Sequence, residues 1–138
     1  MSRDPQSLAQ RIDAISDDLQ TPVGQLLEMV AHFVAERDWQ QFHAPKNISM
    51  ALAIEAAELM EHFQWITVEA SRAELEPEKR AAIGEEIADV MCYALALCNE
   101  MGFDVATLMR EKMKKNVAKY PADEFRGRYG KEDPPKTS

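Results

Sequence analysis

Apolar residues recur along this chain at steps of three and four, not two, which predicts helices throughout and no sheet. Leu8, Ile12, Ile15 and Leu19 follow that spacing among polar neighbours, so residues 1–20 are expected to form a short helix or a flexible arm. Thr21-Pro22 reads as an N-cap followed by proline in the first helical position. The helix behind it carries Val23, Leu26, Leu27, Val30, Phe33 and Val34 and is expected to reach about Arg37. From Asp38 to Lys46 the period breaks, and Pro45 marks the stretch as a loop. Asn47 or Ser49 can cap the next helix, expected to run to about Trp65. A polar stretch follows, and Glu76-Pro77 restarts a helix that continues through Met101 to Gly102, a residue suited to a helix C-terminus. Asp104 caps a last helix that ends near Tyr120-Pro121. The fold class is all-α, bundle-like, with one helical domain over residues 21–126 and an expected disordered tail over 127–138.

Two of these helices share a further pattern. Ile48, Leu52, Leu59 and Phe63 form one apolar stripe, and Ile83, Val90, Ala94, Leu97 and Met101 form another. On a wheel of about 100° per residue, Glu55 falls near the first stripe and Glu58 on its flank; Glu86 and Asp89 repeat that relation on the second. Each segment reads apolar, x, x, Glu, x, x, acid, apolar. One Glu-x-x-Glu is ordinarily a solvated face. Two copies at the same angle to their stripes predict four carboxylates that meet if the helices pack antiparallel. Converging carboxylates repel or take up protons unless something positive lies between them. Neither helix has the Glu-x-x-His of di-iron bundles, and an all-oxygen set suits Mg²⁺, with Mn²⁺ as a substitute.

Charge narrows the functions. Asp and Glu number 24 against 16 Lys and Arg, for a formal net charge of −8, which argues against clamping a nucleic-acid polymer. Cys92 and Cys98 lack the spacing of a zinc or redox motif and read as small core residues in a reducing compartment. No apolar run resembles a signal peptide or a membrane span, so a cytoplasmic location is expected. From the residues alone, Trp39 and Trp65 read first as core or interface packing residues, and His43 as an ordinary loop histidine. The lysines around Lys112 are readable as a solvated basic face, although Lys112, Asn116 and Tyr120 lie at i, i+4 and i+8 on one side. Tyr93 stands one turn beyond Asp89.

The stretch FVAERDWQQFHAPKNISMALAIEAAELMEHFQW (Phe33 to Trp65), then EEIADVMCY (Glu85 to Tyr93) and KMKKNVAKYP (Lys112 to Pro121), resembles the MazG-like nucleotide pyrophosphohydrolases, in particular their dCTP pyrophosphatase branch. The resemblance spans roughly residues 22 to 126. It implies that Glu55, Glu58, Glu86 and Asp89 hold Mg²⁺ and carry catalysis. It implies that Trp39, Gln40, Gln41, Phe42 and His43 line the nucleotide pocket, that Trp65 and Tyr93 contact base or sugar, and that Lys112, Asn116 and Tyr120 meet the phosphates. It further implies a homo-oligomer, a tetramer before a dimer, with sites near subunit interfaces. The expected reaction is hydrolysis of a (deoxy)nucleoside triphosphate, dCTP or a modified dCTP first, to the monophosphate and pyrophosphate. Alternatives are another pyrimidine or oxidised nucleotide, phosphoribosyl-ATP, or a non-catalytic helical interaction module. Val30 stands where some dCTP-preferring relatives are expected to carry histidine, which bears on base choice and not on the metal chemistry.

Overall fold

A computed structural model describes residues 6–130 and 132. Every regular element among them is helical: α1 (Leu8–Asp13), α2 (Val23–Glu36), a 3-10 turn (Trp39–Phe42), α3 (Pro45–Glu61), α4 (Val68–Ser71), α5 (Pro77–Met101), α6 (Val105–Lys119) and α7 (Ala122–Phe125). None of these helices is long and apolar enough to cross a membrane. The disorder expected over 127–138 falls largely on residue 131 and residues 133–138, outside the described residues.

The helix ends follow from local chemistry, and three of them differ from expectation. Thr21 does not cap α2. Its hydroxyl accepts the Ser16 amide at 3.1 Å instead, and Pro22 occupies the N-cap in extended conformation. Pro45 opens α3 and is not part of a loop; Ala44 before it is extended (φ −63°, ψ 145°), as a residue preceding proline prefers. Asn47 and Ser49 therefore lie inside the helix. Their side chains donate backwards, to the carbonyls of Phe42 at 3.1 Å and Lys46 at 2.8 Å. α3 stops at Glu61, four residues short of Trp65, where the amides of His62 and Phe63 turn to the carbonyls of Leu59 and Met60 and tighten the last turn. Two further short helices, α4 in the polar stretch and α7 beyond Tyr120-Pro121, add to the expected set. Gly102 ends α5 in the left-handed conformation at φ 67°, and Asp104 caps α6 through the Thr107 amide at 2.9 Å.

The chain divides into two compact units, one up to Phe103 and one from Asp104 onwards. In the first, α3 packs most extensively on α5, α2 also packs on α5, and α1 and the 3-10 turn pack on α2. Val30 from α2, Ile48 from α3 and Ala96 from α5 form the core, with Tyr93, Leu95 and Leu97 against it. Ile48, 2% exposed, is its most enclosed side chain. Asn99 clips α5 to α2 by donating to the Leu27 carbonyl at 2.9 Å. In the second unit the ring of Tyr120 meets Phe125 edge-on at 5.2 Å.

Only five apolar side chains among the described residues are buried. Met50, Ile54 and Met60 on α3 and Ile87 and Met91 on α5 remain exposed, as do Met109, Met113 and Val117 along α6. Much apolar side-chain surface among the described residues is thus exposed.

Candidate active site

The contact between α3 and α5 brings the acids together. One carboxylate oxygen each from Glu55, Glu86 and Asp89 lies within 4.8 Å of the others. Glu55 and Glu86 are half-buried and Asp89 is exposed. Glu58, one turn along α3, is exposed and close enough to act on the Glu55 carboxyl. The Glu55 carboxyl is held above its ordinary value, first by burial, then by the charge and hydrogen bond of Glu58, then by Asp89 and Glu86. A divalent cation fits the donor set: all donors are hard oxygens, and oxygens on opposite sides of one Mg²⁺ stand about 4.2 Å apart, within reach of small side-chain adjustments.

Asp89 also borders a cavity of about 390 Å³ in the same unit. From α5 come Asp89, Cys92, Tyr93 and Ala96; from the 3-10 turn and the residue that follows it come Trp39 and His43. α2 supplies Val30 and Phe33 beside Met29 and Val34, and α1 supplies Leu8 and Ile12. The volume suits a small molecule and the lining is mostly apolar with a few polar groups, the usual make-up of a ligand site.

The aromatic wall is locally fixed. Asp38 takes the left-handed conformation (φ 51°) and swings the chain from α2 into the turn. The Gln41 amide donates to the Asp38 carbonyl at 3.0 Å and holds that turn. Trp39 then packs edge-on to Phe33 at 5.6 Å and stacks on His43 at 6.4 Å, with planes 26° apart. The Arg37 guanidinium lies 3.8 Å from the Phe33 ring centre. Tyr93 titrates above its ordinary range through burial and then the charges of Glu55 and Asp89, so its hydroxyl remains a donor at neutral pH. Burial and then Asp89 likewise push the Cys92 thiol up, which keeps it protonated and a poor nucleophile.

Of the residues singled out in the sequence, Glu55, Glu58, Glu86, Asp89, Trp39, His43 and Tyr93 come together around this acidic cluster and cavity. Gln40, Gln41 and Phe42 share the 3-10 turn but do not line the cavity, and Trp65 stands 88% exposed. Lys112 and Asn116 lie on α6 and Tyr120 at its C-cap, in the second unit, where Lys119 sits 5.2 Å from the centre of the Tyr120 ring. Sequence reasoning missed Leu8, Ile12, Met29, Phe33, Val34, Cys92 and Ala96 as lining residues. Only Cys92 carried a signal, being one turn beyond Asp89 and adjacent to Tyr93.

Residues 50–131 match the MazG-like family. dCTP pyrophosphatase 1 of Rattus norvegicus is 42% identical over 98 residues, which is 70% of this chain and 58% of that protein. dCTP pyrophosphatase 1 of Homo sapiens is 44% identical over 93 residues, 67% of this chain and 55% of that one. The chain thus spans little more than half the length of these relatives. A crystal structure of a pyrophosphatase from Archaeoglobus fulgidus superposes with a TM-score of 0.67 at 36% identity, covering 72% of this chain and 92% of that one. The chain belongs to the MazG-like family. Its all-helical architecture and its acidic cluster, which could hold a metal ion, accord with that membership.

Proposed function

We propose that this chain hydrolyses a nucleoside triphosphate, dCTP or a modified dCTP first among candidates, to the monophosphate and pyrophosphate, with residues 21–126 as the catalytic domain and Mg²⁺ as the ion. The observation that carries the reading is that Asp89 belongs at once to the acidic cluster and to the wall of an aromatic-lined cavity. A triphosphate with a flat, partly apolar base needs that juxtaposition. Family membership and the names of the relatives point the same way.

Glu55, Glu86 and Asp89, with Glu58 beside them, would hold the ion. Bound there, a divalent cation would offset phosphate charge and acidify a water for in-line attack at the α-phosphorus. The remaining roles fall to the chain's own groups. Trp39 and His43 present ring faces to the base, and the Tyr93 hydroxyl donates a hydrogen bond. The proton of the attacking water passes to a carboxylate of the quartet or to neighbouring Glu61 or Glu85. Lys112, Asn116 and Tyr120 are proposed as phosphate contacts. The uncovered apolar faces support a homo-oligomer, a tetramer before a dimer, and Trp65, open on a single chain, is proposed to contact base or sugar. A cytoplasmic location would keep the free thiols of Cys92 and Cys98 reduced.

Chromatography of the products tests the reaction. With Mg²⁺ and a triphosphate panel, monophosphate and pyrophosphate are expected; orthophosphate and a diphosphate would contradict the reading. Calorimetry tests the ion. Mg²⁺ at a hundred times its Kd should stabilise the native state by about 2.7 kcal/mol, whereas a merely solvated acidic face would give no saturable response. Light scattering tests the assembly: a monomer at micromolar concentration would remove the oligomer from the proposal.

A further inference from the structure

Helix α1 lies outside the matched family segment, yet two of its six residues reach the cavity that Asp89 borders. Leu8 and Ile12 are one turn apart and so share a face. Leu8 is buried, while Ile12 keeps 51% of its surface open. A six-residue helix is not stable in water by itself. Ser7 and Gln10 satisfy its first turn reciprocally, at 2.9 and 3.2 Å. Arg11, only 7% exposed, then donates to Glu28 on α2 at 2.9 Å. Enclosing a guanidinium is costly unless it is paired, so this pairing is a specific means of holding α1 against α2.

We infer that α1 is a specificity-determining wall of the substrate pocket, in which Leu8 and Ile12 close the apolar side that receives the nucleoside. The inference rests on the hydrolase reading above and extends the site beyond residues 21–126. Aliphatic side chains offer phosphate oxygens nothing, and the charged end of a triphosphate belongs with the acidic cluster and its ion. Leu8 and Ile12 therefore meet the heterocycle or sugar. α1 governs nucleoside affinity and leaves the chemical step alone.

Ile12 is the residue to change, because its partial exposure lets the fold tolerate substitution. Ile12→Ala and Ile12→Glu are compared with the wild-type chain for KM, kcat and inhibition by inorganic tripolyphosphate, which carries the phosphates without a nucleoside. Loss of apolar pocket contacts, with a carboxylate added in the second variant, should raise KM about tenfold or more in Ile12→Glu and less in Ile12→Ala. kcat should change by less than about twofold, and tripolyphosphate inhibition should not change. Unchanged KM in both variants would overturn the role of α1. So would a joint loss of kcat and tripolyphosphate affinity, which would make α1 a support for the acidic cluster. A wild-type chain that turns over no triphosphate would instead overturn the hydrolase reading. Calorimetry with a nucleoside monophosphate then decides α1: weaker binding to Ile12→Glu supports the wall, and equal binding removes it.

Discussion

Glu55→Ala is expected to lower kcat by roughly 10²- to 10⁴-fold, since a catalytic divalent ion is worth several kcal/mol of transition-state stabilisation and each 1.36 kcal/mol is a factor of ten. Glu55 is the most connected of the four acids. An oxygen of it lies within 4.8 Å of oxygens from both Glu86 and Asp89, and Glu58 acts on its carboxyl from one turn along α3. Losing it would remove the α3 carboxylate that faces Glu86 and Asp89 of α5. The helical circular-dichroism spectrum should not change, because alanine favours the helix and the acid is only half-buried. Glu55→Gln separates charge from shape: it should be as inactive, yet in chelator melt above the wild type, because a neutral amide relieves the like charges around it. Retained turnover in both variants would end the metal-ligand role. A lost spectrum would make Glu55 a folding residue.

The same carboxyl sets a pH dependence with an unusual sign. A carboxylate whose folded pKa is raised contributes stability that is fully present below its unfolded value and lost as pH rises through the folded value. Glu55 is such a group, by burial first and by its acidic neighbours second. In chelator, its contribution to stability should therefore grow as pH falls through the raised value towards the ordinary carboxylate range. Asp104 works in the opposite sense, since the hydrogen bonds of Thr107 hold its carboxyl below the ordinary value and its contribution is lost only as pH falls below the usual carboxylate range. With saturating Mg²⁺ the Glu55 dependence should shrink or reverse, because the ion favours the ionised form.

Residues whose information is local are the ones legible in the sequence. The apolar period and the terminators Pro77, Gly102 and Asp104 place α5 and the start of α6, since each acts through its own turn. The meeting of Glu55 and Glu58 with Glu86 and Asp89 is legible because the same angle to an apolar stripe occurs twice, and packing the stripes brings the acids together. Pro45 is ambiguous by nature. Proline breaks a period and also starts a helix, and the choice turned on Asn47 and Ser49 spending their side chains on Phe42 and Lys46. Thr21 was similarly committed to Ser16. The cavity wall from α1 is illegible for another reason. A helix this short is held by an ion pair between residues 17 apart in sequence, which no periodicity signals. Trp65 looks like a core or ligand residue because it is large and aromatic, and a single chain leaves it in the open.

Trp39→Ala is expected to raise KM for the preferred triphosphate by about 5- to 150-fold with little change in kcat, because base–aromatic stacking is worth about 1–3 kcal/mol per base. The ring is held by Phe33 edge-on and by His43 stacked beside it, yet 41% of Trp39 stays accessible. A tryptophan that served packing alone would be covered by those neighbours. Its site on the cavity wall leaves surface available to a ligand. The two roles separate by measurement. A packing residue would cost stability, read as a lower urea midpoint, and leave KM alone. A stacking residue moves KM, and Trp39→Phe should recover part of that loss because it keeps a ring face in place. Equal KM values for the wild type, Trp39→Ala and Trp39→Phe would remove Trp39 from the substrate pocket and return it to the core of the α2 turn.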